Sequence, residues 1–135
     1  MSLAPAQRRR LIAAARRAAK AAYAPYSKFR VGAAVLAGSG KIYTGCNVEN
    51  ASYGLCNCAE RTAIFTAVAA GERKVKAVAV FTPTPFPTMP CGACRQVINE
   101  FGPRALVIGI CNSQARLDLT RPDLQPSAFG PKNLK

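Results

Sequence analysis

Alternation is the strongest constraint on this chain. From residue 30 to residue 120, short apolar runs rich in small and β-branched residues take turns with segments of helical period, and Gly or Pro punctuates the changes. Pro5 can open a first helix, whose apolar positions Leu11, Ile12, Ala15, Ala18, Ala19 and Ala22 follow helical spacing, and Pro25 ends it. Residues 30–36 and 41–46 read as strands of a hairpin turned at Gly38-Ser39-Gly40. CNCAERTAIFTAVAAG predicts a helix from near Cys58 to Gly71, and residues 75–81 a buried strand. CGACRQVINEFGP predicts a helix closed by Gly102-Pro103, followed by a strand over 106–110. A strand over 116–119 and a short helix capped near Thr120 finish the chain. In TPTPFPTMP, four prolines forbid regular pairing while holding the chain extended, so this segment reads as a rigid connector. Strands alternating with helices imply an α/β sandwich around one mixed sheet. With 135 residues, 50% of them hydrophobic, one domain spanning residues 1–135 suffices to hold the core.

Six cysteines would mean disulfides in a secreted chain, so the N-terminus decides how they are read. Arg16, Arg17 and Lys20 interrupt any apolar stretch long enough for a secretory signal. Residues 1–30 hold eight Lys or Arg and no acid, a composition shared by transit peptides, but the segment also reads as an ordinary amphipathic helix. No run approaches the ~18 apolar residues of a membrane span. The expectation is a cytoplasmic protein with reduced thiols, in which the sequon Asn50-Ala51-Ser52 carries no meaning. A net charge of +13 favours polyanions in general. Yet aromatics are few and Trp is absent, so no basic, aromatic-interleaved platform stands out; nucleic-acid contact through the basic surface is open but not favoured.

Two cysteine groups stand at helix starts: Cys58 in NCAER, and Cys91 with Cys94 in PCGACR. Unpaired amides and the positive dipole end at such positions stabilise thiolates, the metal-binding form. The pair at 91 and 94 alone is compatible with a redox couple or half of a zinc ribbon; a ribbon needs a second C-x-x-C, and no His completes a mixed finger. Three thiolates from Cys58, Cys91 and Cys94 would leave zinc one open position, and Glu60, in the first turn after Cys58, is placed to move a proton beside it. Arg61 and Arg95, each following a ligand motif, could draw charge from sulfur. Cys56 is a possible rival ligand, though Cys46, Cys56 and Cys111 read as small buried hydrophobes.

Cys58-Ala59-Glu60 followed by Pro90-Cys91-Gly92-Ala93-Cys94 has the pattern of zinc deaminases, with Cys where others use His. Together with AYAPYSKFRVGAA (22–34), TGCNVENASYG (44–54), PCGACRQV (90–97) and AFGPKNL (128–134), it makes the chain resemble the small single-domain cytidine deaminases from about residue 15 to the end. The resemblance implies a three-layer α/β/α sandwich with one mixed five-stranded sheet, and one Zn2+ per subunit of a homotetramer. It implies hydrolysis of cytidine and deoxycytidine to uridine and deoxyuridine in pyrimidine salvage, by zinc-activated attack on C4 with Glu60 as proton shuttle. By the same likeness, Phe29 packs on the pyrimidine, the Ala59 amide binds its O2, and Asn47 and Glu49 hold the ribose. Tyr53 and Phe129 then approach the sites of neighbouring subunits. The sequence departs from the family at Gln125-Pro126, where an apolar residue usually precedes the proline, and in CNSQARLDLT, which lacks the usual glycine turn. Three rival functions remain: a polynucleotide deaminase, for which the chain has little spare length; a blasticidin-type deaminase, which NVENASYG disfavours; and a noncatalytic zinc-stabilised nucleic-acid module, which has no use for Glu60.

Overall fold

A computed structural model describes residues 3–134. Helix α1 (Pro5–Ala18) is built from good helix formers with Pro at its first turn, and it runs on into a 3-10 turn over Ala19–Ala21. Its apolar stripe, Leu11, Ile12, Ala14 and Ala15, is buried. Strands β1 (Gly32–Ala37) and β2 (Ile42–Cys46) form the antiparallel hairpin. The remaining elements are α2 (Ala59–Ala69), β3 (Val75–Phe81), α3 (Gly92–Phe101), β4 (Leu106–Ile110), β5 (Arg116–Thr120) and α4 (Arg121–Leu124).

The five strands form one mixed sheet in the order β2-β1-β3-β4-β5. Only β3 and β4 run parallel, from Ala77 opposite Leu106 to Phe81 opposite Ile110, and α3 is the crossover that a parallel pair requires. Every residue of β1 is buried, as a central strand covered on both faces demands. Alternate side chains divide between two cores. Ala34, Leu36, Ala77, Ala79, Ile108 and Ile110 pack with α1. On the other face Ala33, Val35, Val78 and Val80 pack with Ala63 and Ile64 of α2 and Ile98 of α3. These are the three layers of an α/β/α sandwich.

Two glycines set how closely the layers meet. A Cβ on Gly32 would lie 2.1 Å from the Ala15 carbonyl oxygen, and one on Gly45 would lie 2.3 Å from the Ala63 amide nitrogen. Helices α1 and α2 therefore press their backbones against opposite faces of the hairpin, and the second contact seats α2 on β2. The first strand starts at Gly32 and not at Arg30, because the Val31 amide donates to the Asn47 side chain at 2.9 Å and so leaves the ladder. Helix α4 is opened by a capping box between Thr120 and Asp123. The 3-10 turns Tyr53–Leu55 and Pro131–Leu134 were not legible as elements. Among the described residues no helix is long and apolar enough to cross a membrane.

Candidate active site

Helices α2 and α3 bring their N-termini to one point. Cys58 is the N-cap of α2 and Cys91 that of α3; both have extended backbones, and neither side chain bonds the helix it caps. A Ser or Asp there would spend its oxygen on the helix amides, whereas these sulfurs stay available to a ligand in front of two positive dipole ends. Cys94, buried in the first turn of α3, is the third. Cys58 Sγ lies 3.7 Å from Cys91 Sγ, which lies 3.6 Å from Cys94 Sγ, and all three sulfurs are within 4.8 Å of one another. Three soft donors converging from one side fit zinc, and they leave its fourth tetrahedral position free.

The surroundings polarise this cluster. Hydrogen bonding with Cys94, then with Arg61 and Cys91, outweighs burial and pulls the Cys58 thiol down to about 5, while Cys94 is pushed up by the same partner. Arg61 Nη2 donates to Cys58 Sγ at 3.4 Å, so its guanidinium answers sulfur and not a carboxylate. Its Nε is buried with no acceptor among the described residues. Glu60 is 5% exposed. Burial raises its carboxyl to about 7, assisted by the charge on Cys58 and opposed by its own backbone amide and Arg61. An acid held near neutrality beside a metal-binding cluster can both take and return a proton.

The family model for the cytidine and deoxycytidylate deaminase zinc-binding region matches residues 5–110. The chain belongs to this family. It is 49% identical over 126 residues to a cytidine deaminase of Sporosarcina psychrophila, with 93% of each chain covered. Among solved structures, it resembles the cytidine deaminase from Burkholderia pseudomallei, with a TM-score of 0.86, 52% identity, and 90% of this chain and 98% of that one covered. It also resembles the cytidine deaminase from Mycobacterium tuberculosis, with a TM-score of 0.76, 39% identity, and 90% and 96% covered.

In this deaminase the cluster opens on a cleft of about 290 Å³, into which the fold gathers Phe29, Asn47, Glu49, Ala59 and Glu60 beside Cys58 and Cys91. Asn47 uses its amide to clamp the strand leading to β1: Nδ2 donates to the Phe29 carbonyl at 2.7 Å and Oδ1 accepts from Val31 at 2.9 Å. Glu49 accepts from the amides of Tyr26 and Ser27 at 3.0 and 3.2 Å and from the Ser27 hydroxyl. The Ser27 hydroxyl bond holds its carboxyl below the usual range. Ala59 opens α2, where a backbone amide has no carbonyl of the helix to meet.

Tyr53, 73% exposed, and Phe129, 57% exposed, lie outside this cleft. The Phe129 carbonyl is held by Gln96 and Asn99 at 2.8 and 3.0 Å, which leaves its ring at the surface. Arg95 does not reach sulfur: Nε donates to the Pro90 carbonyl at 2.7 Å and Nη1 to that of Leu124 at 2.8 Å. Cys56 stands apart from the ligand cluster; it is half-buried, lines the cleft and accepts from the Asn50 amide at 3.3 Å. Cys111 is buried, and Cys46 is half-buried.

Sequence reasoning passed over Thr82, Thr88 and Met89, which also line the cleft. All three belong to the proline-rich connector, and for Thr88 and Met89 a position two to three residues before Cys91 was the available signal. Ser27 was passed over as well. Its hydroxyl joins Glu49 to the Phe29 amide, which it accepts at 3.0 Å.

Proposed function

We propose that this chain hydrolyses cytidine and deoxycytidine to uridine and deoxyuridine with release of ammonia, as a single-domain enzyme of pyrimidine salvage. The observation that carries the reading is a buried carboxylate, Glu60, next to three converging thiols at the floor of a nucleoside-sized cleft. Cys58, Cys91 and Cys94 would hold zinc, which would supply Lewis acidity towards water at neutral pH.

The chain's own residues do the rest. Phe29, Val31 and Val80 give the cleft apolar walls for a pyrimidine ring, and the Ala59 amide is a donor for its O2. Glu60 takes a proton from the attacking water and passes it to ring N3, then takes the second proton from the new C4 hydroxyl and delivers it to the departing amino group as the C4–N bond breaks; burial keeps its proton affinity near that of the medium. Asn47 and Glu49 retain acceptor capacity for ribose hydroxyls beyond their backbone partners. Arg61 tempers the negative charge of three thiolates.

Exposed Tyr53, Leu55 and Phe129 support a homotetramer in which a neighbour covers them. Free thiols in all six cysteines among the described residues support a reducing, cytoplasmic setting. The test is ammonia release from cytidine, deoxycytidine, a cytosine-containing oligonucleotide and blasticidin S, with mass by light scattering on the same sample. Turnover of the two nucleosides by a tetramer is expected. Turnover of the oligonucleotide alone, or zinc retained with no substrate turned over, overturns the proposal.

A further inference from the structure

Across the sheet from the cleft, a depression of about 460 Å³ lies between α1 and the start of β5, and Arg8, Arg9, Arg16, Arg17, Lys20 and Arg116 line it with no acid among them. Only Arg8 is neutralised, by an ion pair with Asp118. Arg16 is fixed in place, donating to the Cys111 carbonyl at 3.0 Å with its guanidinium 5.2 Å from the centre of the Phe81 ring, and no acid pairs with it among the described residues. Arg9, Arg17, Lys20 and Arg116 are exposed, and none forms an ion pair among the described residues. Like charges gathered without counter-charge repel one another, and a polyanion seated among them removes that repulsion.

We propose that this depression binds the phosphate backbone of nucleic acid without reading its bases. From Arg9 to Lys20 the cationic stripe is about 16 Å long at 1.5 Å per residue, more than the phosphates of one nucleotide span and suited to successive phosphates of a strand. Guanidinium forks, which dominate the lining, match phosphate oxygens in pairs. No aromatic residue lines the depression and Phe81 is occupied by Arg16, so bases find no stacking platform and contact is independent of sequence. The stripe lies on the α1 face, whereas the cleft uses Val31 and Val80 of the α2 and α3 face, so a bound strand leaves the deaminase site open.

The experiment is fluorescence anisotropy of a labelled mixed-sequence single-stranded RNA with the full chain over a range of salt. With four phosphate contacts the log–log slope of affinity against salt is expected near −3 (about −0.7 per contact). Arg17→Gln with Arg116→Gln should halve that slope to about −1.5 and weaken binding roughly tenfold. Melting temperature and cytidine turnover stay unchanged in that variant. A control with equal charge loss elsewhere, Lys74→Gln with Lys76→Gln, should keep the parent slope. Absence of salt-dependent binding, equal loss in both variants, or capture by phosphatidylserine vesicles with no RNA bound would overturn the proposal.

Discussion

The two helix starts at the site are built alike and do different work. Each has a cysteine N-cap with an extended backbone and an arginine within the next four residues. At α2 the arginine turns back to the sulfur, Arg61 Nη2 to Cys58 at 3.4 Å, and a buried acid stands between them. At α3 the arginine turns away, Arg95 bonding the carbonyls of Pro90 and Leu124, and the place of the acid is taken by a second ligand turn ending in Cys94. On the proposed function, one helix start would carry charge and proton chemistry and the other geometry. Substitutions at matching positions should therefore fail in different ways.

Removing a ligand from the geometric side has the largest effect. Cys94→Ala leaves two thiols, so metal content measured by atomic absorption should fall to background and turnover by more than about 10³-fold, the loss of several kcal/mol of charge stabilisation. Next comes the acid of the chemical side. Glu60→Gln should cost about 10²–10⁴-fold in kcat while metal content stays full, which separates proton transfer from ligation.

The same variant has a stability signature. Folded Glu60 holds its proton up to about 7, against 4.5 ordinarily, so the metal-free fold loses stability relative to the unfolded chain as pH rises through that window. Gln carries no such penalty. Metal-free Glu60→Gln should match the parent near pH 4 and exceed it by roughly 3 kcal/mol above pH 7 in denaturant titrations. An advantage that shrank with rising pH would refute the burial of this carboxyl.

Arg61→Gln is milder. With its hydrogen bond gone, the Cys58 thiol should move back up towards ordinary values, and zinc affinity should fall about 10–100-fold in competition with a chromogenic chelator.

How far these differences could be read in the sequence depends on how local their causes are. Strands β3 and β4 are short apolar runs between turn signals, and their limits are as legible as their type. The four residues Cys58, Glu60, Cys91 and Cys94 are legible as candidates because helix starts and thiol chemistry are both local. That the two starts meet was inferred from a pattern, and no spacing dictates it; packing does, through the approach of α2 to Gly45 and the crossover of α3. Asn47 and Glu49 were legible as polar groups on a loop, but not as braces, since their partners lie 16 to 23 residues upstream. Thr88 and Met89 were hidden by a composition that reads only as a spacer.

Arg95 is the case where local reading misdirects most, because a cation after a ligand motif invites a role on sulfur. Its Leu124 partner is 29 residues away, and the two bonds tie the connector before Cys91 to the end of α4. Arg95→Gln would leave the carbonyls of buried Pro90 and half-buried Leu124 without their donor, at a cost of about 1–3 kcal/mol in unfolding free energy. Because Cys91 takes its own backbone from α3, the sulfurs should keep their spacing, and zinc affinity should change less than about tenfold, below the range expected of Arg61. The pair of measurements sharpens the contrast between the helix starts. If Arg95→Gln weakened zinc as much as Arg61→Gln with stability unchanged, the α3 arginine would be acting on sulfur after all, and the division between chemistry and geometry would be wrong.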